Sequence, residues 1–176
     1  MPIVLSFCCI YKEKALNLNL AEVDSQLEAI FLSGGDIIGR TQILLHSVTN
    51  NNSSSPSSMT ESLKAFLTKL FSTSELSNHM TKQILALFVN TLLSLSHKSS
   101  EVFEEIAEFT LVTLKAQSNG YDEADYLLRD AMFEHYLATG EYPEAAQVLA
   151  GVNLESTTRP FTDMEKVLQF DTLDLI

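Results

Sequence analysis

Four histidines, His46, His79, His97 and His135, are the side chains of this sequence best suited to hold a metal. Zinc-peptidase chemistry needs two imidazoles on one helical face with a carboxylate in reach, as in an H-E-x-x-H run. The four are isolated from one another in the chain. Only His135 has acids beside it, with Asp130 and Glu134 on its own helix. That trio could reach one cation, but two carboxylates and one histidine on an exposed helix face are ordinarily solvated. Nucleophiles fare no better. There is no G-x-S-x-G elbow, and Cys8 and Cys9 have no base next to them. Gly34-Gly35-x-x-x-Gly39 supplies glycines, yet no Lys-Ser/Thr follows and no strand precedes them, so a phosphate cradle is unsupported. The expectation is a chain with no catalytic residue, no metal and no cofactor. It is not an enzyme.

One polar cluster remains. Glu101, Glu104, Glu105 and Glu108 recur at spacings of three and four, which places them along one stripe of a helix, opposite its packing face. Glu101 and Glu104 gain from the helix dipole near an N-terminus, whereas Glu108 lies too far along. The pairs four apart repel by roughly a few tenths of a kcal/mol each. A solvated face tolerates that, and a basic protein partner would relieve it. The stripe is therefore the candidate partner surface. It belongs to a wider asymmetry, since the chain has 23 acidic and 11 basic residues and a net charge of −12. Residues 1–100 are balanced at seven and seven, while residues 101–176 hold sixteen acids and four bases. Direct nucleic-acid binding by residues 101–176 is disfavoured, because a phosphate backbone needs Lys and Arg to replace its counterions, and no nucleic-acid partner is expected.

These groups need a scaffold. At 176 residues the chain is the size of one domain, and an apolar share of 45% is enough for a core. Six glycines, four prolines and no tryptophan favour helices over sandwiches or barrels. The most apolar window, Ile84–Leu95, is interrupted by Asn90, Thr91 and Ser94, so no membrane span is expected. Adjacent cysteines cannot staple distant parts of a fold, which points to a reducing, intracellular setting. The apolar run from Ile3 to Tyr11 lacks the basic flank of a signal peptide and is followed by Lys12, Glu13 and Lys14. In that setting the two glycosylation sequons within Asn51-Asn52-Ser53-Ser54 mean only a polar loop.

Apolar periodicity predicts seven helices. The first, over 20–32, carries Leu20, Val23, Leu27, Ile30 and Phe31 and ends at Ser33-Gly34-Gly35. Asp36 caps the second, whose apolar face is Ile37, Ile38, Thr41, Leu44, Leu45 and Val48. Ser58-x-x-Glu61 reads as a capping box that opens a third helix burying Met59, Leu63, Phe66, Leu67 and Leu70. A fourth over 80–96 is apolar on most sides and belongs in the middle of the stack. Ser99 or Ser100 caps the fifth, which packs Phe103, Ile106, Ala107, Thr110, Leu111 and Leu114 and breaks at Asn119-Gly120. The sixth runs from Tyr121 to Ala138 and ends at Gly140. The seventh begins at Pro143 and ends near Ala150.

The fold expected is all-α: a tetratricopeptide-like helical repeat, or α-solenoid, of about seven helices in antiparallel pairs. Tyr136-x-x-x-Gly140-x-Tyr142-x-x-Ala145-x-x-x-Leu149 matches the middle of such a repeat. Glycine lets the chain turn, Tyr142 packs into the turn, and Ala145 is small where two helices approach. The domain reading is a poorly defined segment over 1–19, a helical-repeat domain over 20–160 with a flexible Asn/Ser loop near 50–58, and an atypical, truncated segment over 161–176.

Several runs within this frame resemble the subunit-four family of the COP-nine signalosome. Leu128-Arg129-Asp130, His135-Tyr136-Leu137-Ala138, Ala145-Ala146-Gln147-Val148-Leu149-Ala150-Gly151-Val152 and Leu154-Glu155-Ser156 carry the resemblance. Ser62-Leu63-Lys64-Ala65-Phe66 and Glu105-Ile106-Ala107-Glu108-Phe109-Thr110-Leu111 extend it upstream in the same order, so that it covers residues 36–160. It implies a non-catalytic PCI-family scaffold with other signalosome subunits as partners, in the cytoplasm and nucleus. The complex removes a Nedd-type modifier from cullin–RING ligases with a metalloprotease carried by another subunit. The first twenty residues, the 50–58 loop and the stretch after Val167 depart from the family pattern, and its later repeats and winged-helix PCI module are missing from this sequence. A proteasome-lid PCI subunit and a free-standing helical-repeat adaptor are the alternative readings.

Overall fold

The computed structural model describes residues 20–32, 35–50, 55–117, 120–153 and 160–162. The segment 1–19 with Cys8 and Cys9, the sequons at 51–54 and the stretch 163–176 lie outside the described residues. Seven helices account for the described chain: α1 (Leu20–Leu32), α2 (Ile37–Thr49), α3 (Pro56–Ser72), α4 (Asn78–Leu95), α5 (Ser100–Ala116), α6 (Asp122–Thr139) and α7 (Tyr142–Ala150).

Local chemistry sets most of the boundaries. The Asp36 carboxylate accepts the Gly39 amide at 2.8 Å and so starts α2. Ser77 does the same for α4 by accepting the Met80 amide at 3.3 Å. At α3 the structure corrects the sequence reading. The cap is Ser55, whose hydroxyl accepts the Ser58 amide at 3.2 Å, with Pro56 in the first turn. Ser58 is therefore inside the helix, and residues 56–58 of the expected loop form its opening turn. Proline has no amide hydrogen to leave unsatisfied there, so it begins the helix instead of delaying it. Gly140 closes α6 in the left-handed region, with φ 80°. The Glu141 amide reaches back to the Tyr136 carbonyl at 2.8 Å, the six-residue closure of a Schellman turn.

The helices stack in two layers. α1 packs on α3 and α3 on α5, while α2 packs on α4 and α4 on α6. Contacts between α1 and α2, α4 and α5, and α5 and α6 tie the layers together, and α7 lies along α6. Sequence neighbours and next-nearest neighbours therefore make the contacts, the pattern of a helical-repeat array. The expectation of a central α4 agrees with its packing against α2, α5 and α6 and with its buried face of Ile84, Leu85, Phe88, Val89, Leu92 and Leu95. Phe88 stacks on Phe66 of α3 with ring centroids 5.3 Å apart and planes within 5°. No described helix is long and apolar enough to cross a membrane.

Candidate interaction surface

The acidic stripe lies on α5, and its neighbours divide it. Glu101 and Glu108 are exposed, with no hydrogen bond or salt bridge among the described residues. Glu104 and Glu105 are engaged by the protein itself, which corrects the expectation that all four face away from the packing surface. Glu104 is half-buried and accepts a hydrogen bond from the Tyr136 hydroxyl of α6 at 3.0 Å. Glu105 pairs with Lys64 of α3 at 2.6 Å, and the same ammonium sits 5.5 Å from the Phe109 ring centroid. The pair is well solvated, so its contribution is small, about 0–1 kcal/mol. The cause is the array itself: α5 has α3 on one flank and α6 on the other. A stripe at spacings of three and four is wide enough to meet both.

Tyr136 anchors the α5–α6 side. Burial raises its pKa above the usual 10.0, and the hydrogen bond to Glu104 and the nearby charges of Glu104, Glu108 and Glu141 push the same way. The neutral phenol is thus the form the fold selects. Below pH 10 that selection costs nothing, because the unfolded tyrosine is neutral too. As pH rises beyond 10 the unfolded chain releases this proton while the folded chain retains it, so stability falls. A Tyr136→Phe variant is expected to lose about 1 kcal/mol at neutral pH with the hydrogen bond. Its further loss above pH 10 should be smaller than that of the wild type, as read by urea unfolding across alkaline pH. Identical alkaline slopes would show that Tyr136 titrates freely.

The trio of Asp130, Glu134 and His135 does not come together as a site. Among the described residues no group of three or more His, Cys, Asp or Glu could hold a metal ion. His135 instead shares a hydrogen bond with the Ser100 hydroxyl at 3.2 Å and meets the Phe103 ring edge-on at 6.0 Å. His46 hydrogen-bonds Asn50 at the end of α2, and His79 and His97 are exposed.

The repeat residues lie around the α6–α7 turn. Tyr136, Ala145 and Leu149 are buried, and Gly140 supplies the turn. Tyr142 is 54% exposed, contrary to the expectation that it packs into the turn. It stands at the first residue of α7, where no second helix among the described residues covers the side chain.

Sequence reasoning missed what fastens α7. Arg129 of α6 grips Asp125 with two nitrogens, at 2.7 and 3.3 Å, and its third donates to the Val148 carbonyl at 3.1 Å. The guanidinium thereby adds a second hydrogen bond to a carbonyl that also accepts the Gly151 amide at 3.2 Å, at the C-terminal end of α7 where a cation is favoured by the helix dipole. A Cβ at position 151 would meet Arg129 Nη1, so a larger residue there would push on the same group. The Asp125–Arg129 spacing of four was a visible signal. The carbonyl nineteen residues on was not.

Helix packing, paired charges and an exposed acidic edge characterise this helical-repeat module. No family model matches the chain. Over 93 residues it is 32% identical to COP9 signalosome complex subunit 4 of Emericella nidulans, a stretch that makes up 53% of this chain and 22% of that protein. The chain thus covers less than a quarter of the relative it matches.

Proposed function

We propose that this chain is a non-catalytic scaffold module of a signalosome-type assembly. The carrying observation is the 93-residue similarity to a COP9 signalosome subunit, and the two-layer helical array is a fitting frame for such a role. In this reading its partners are other signalosome subunits, with a cullin–RING ligase as the substrate of the complex. Its place of action is the cytoplasm and nucleus. In this reading, removal of the Nedd-type modifier belongs to another subunit.

Within that reading, the part of the acidic stripe available to a basic surface is Glu101 and Glu108. Their attraction for such a partner acts through solvent, and it weakens as the screening length falls from about 10 Å at 0.1 M salt to about 3 Å at 1 M. The double substitution Glu101→Gln and Glu108→Gln is expected to slow association with a neddylated cullin–RING assembly about threefold at low salt and to change nothing at high salt. Adding Glu105→Gln removes a charge already paired with Lys64 and should add little. The measurement is a stopped-flow binding titration at two salt concentrations, with a cleavage assay on the same samples. Modifier release by the purified chain alone would overturn the scaffold reading, and salt-independent binding would remove the acidic edge from it.

A further inference from the structure

We propose that Ser55 is a phosphorylation site for a proline-directed protein kinase, and that the phosphate it receives tightens the start of α3. Ser55-Pro56 is the only Ser-Pro or Thr-Pro dipeptide in the sequence. Kinases of this class select the residue after the serine for a proline ring, which fixes φ and carries no amide hydrogen to satisfy. Ser55, Pro56 and Ser57 are all exposed among the described residues. The Ser55 backbone is extended, with φ −66° and ψ 152°, close to the polyproline II form of a peptide laid along a cleft. The ring of Pro56 itself disfavours a helical conformation for Ser55, so this shape persists when the neighbouring chain moves. The Ser55 oxygen accepts the Ser58 amide at 3.2 Å, while its own O–H donates to no group among the described residues. The proton that a kinase base must remove is free.

The step is a phosphoryl transfer from a nucleoside triphosphate. Ser55 Oγ bonds to the γ-phosphorus, the bond from that phosphorus to the bridging oxygen breaks, the diphosphate leaves, and the hydroxyl proton passes to the kinase. The chain around Ser55 suits the product. A phosphate brings about −1.5 to −2 charge at pH 7 and three acceptor oxygens. The Ser57 amide has no carbonyl partner within α3, and the Ser58 amide already points at Ser55. Both can be taken by the phosphate, which also meets the positive end of the helix dipole. Elsewhere on a chain of net charge −12 a new dianion would add to repulsion, but Ile37 to Thr60 contains no Asp or Glu. Ser58 offers a rival context, an acid three residues on at Glu61, yet it is half-buried inside the helix. The inference is independent of the signalosome reading, because it uses neither the acidic edge nor the relative.

The test incubates the folded full chain, and a heat-unfolded sample of it, with magnesium ATP and a proline-directed kinase of the mitogen-activated class, and maps the phosphate by tandem mass spectrometry. A single phosphate on Ser55 of the folded chain is expected. Ser55→Ala should abolish incorporation, and Pro56→Ala should slow it about tenfold with the circular dichroism unchanged. In the phosphorylated chain, amide hydrogen exchange at Ser57 and Ser58 is expected to slow about two- to fivefold, the equivalent of one favourable charge at a helix N-terminus. The melting midpoint should rise by roughly 1–4 °C. Phosphate on Ser57 or Ser58 instead of Ser55, or incorporation by the heat-unfolded sample alone, would overturn the site. Unchanged or faster exchange at the two amides of a chain phosphorylated on Ser55 would overturn the tightening of α3.

Discussion

Replacing Phe88 by alanine is expected to cost about 3–5 kcal/mol, the usual range for removing a fully buried aromatic side chain. Phe88 has no exposed surface, sits on the central helix and stacks on Phe66 of the opposite layer at 5.3 Å. The void left behind would be lined by α3 and α4, and α4 cannot close it freely because it is also packed against α2, α5 and α6. Collapse at one contact would open another. At about 2–4 °C per kcal/mol for a chain of this size, the midpoint should fall by roughly 6–20 °C. Phe88→Leu, which keeps most of the apolar volume, should lose much less. A double-mutant cycle with Phe66→Leu isolates the ring–ring contribution, expected at about 0.5–1.5 kcal/mol. Calorimetry compared with circular dichroism is the proper readout, because a repeat array can lose one end before the other. A shift below about 2 °C would show that Phe88 does not hold the layers together.

What could be foreseen from the residues was what a single helix decides for itself. The apolar faces of α1 and α2 follow from periodicity, Asp36 announces a cap, and Gly140 announces a left-handed turn. The central place of α4 followed from the breadth of its apolar surface. What could not be foreseen depended on a neighbour. Glu104 and Glu105 sit on a helix that looks one-sided in isolation, and only the flanking α3 and α6 supply partners for two of its four acids. Tyr142 matches a repeat position by type, but its burial needs a covering helix that the described chain does not place there. The start of α3 was a different difficulty. Several serines in a row each fit a cap, and only the position of Pro56 in the first turn distinguishes Ser55 from Ser58. The Arg129 clamp combines both: the pair with Asp125 is local, but its bond to Val148 exists only once α7 folds back on α6.

That fold-back makes Ala145→Leu the sharper trial of the repeat assignment. Ala145 is fully buried on α7, whose packing partner is α6, so three added carbon atoms enter a contact built around a methyl group. Overpacking of this kind costs about 1–3 kcal/mol, enough to lower the melting midpoint by roughly 2–12 °C if the whole array reports it. α7 is also the last of the described helices, and it can relieve the strain by lifting away from α6 without unfolding the rest. Two measurements are therefore needed. Thermal unfolding reads the global loss, and amide hydrogen exchange at Leu149 and Ala150 reads the local one. Lifting α7 would also break the bond from Arg129 to Val148, so both routes end in faster exchange there. Tyr142→Ser, at an exposed position three residues earlier, is the control and should change stability by less than about 0.5 kcal/mol. If Ala145→Leu leaves both the melting midpoint and the exchange at Leu149 and Ala150 unchanged, Ala145 is not the small residue of a close helix pair, and the repeat match over Tyr136 to Leu149 loses its physical basis.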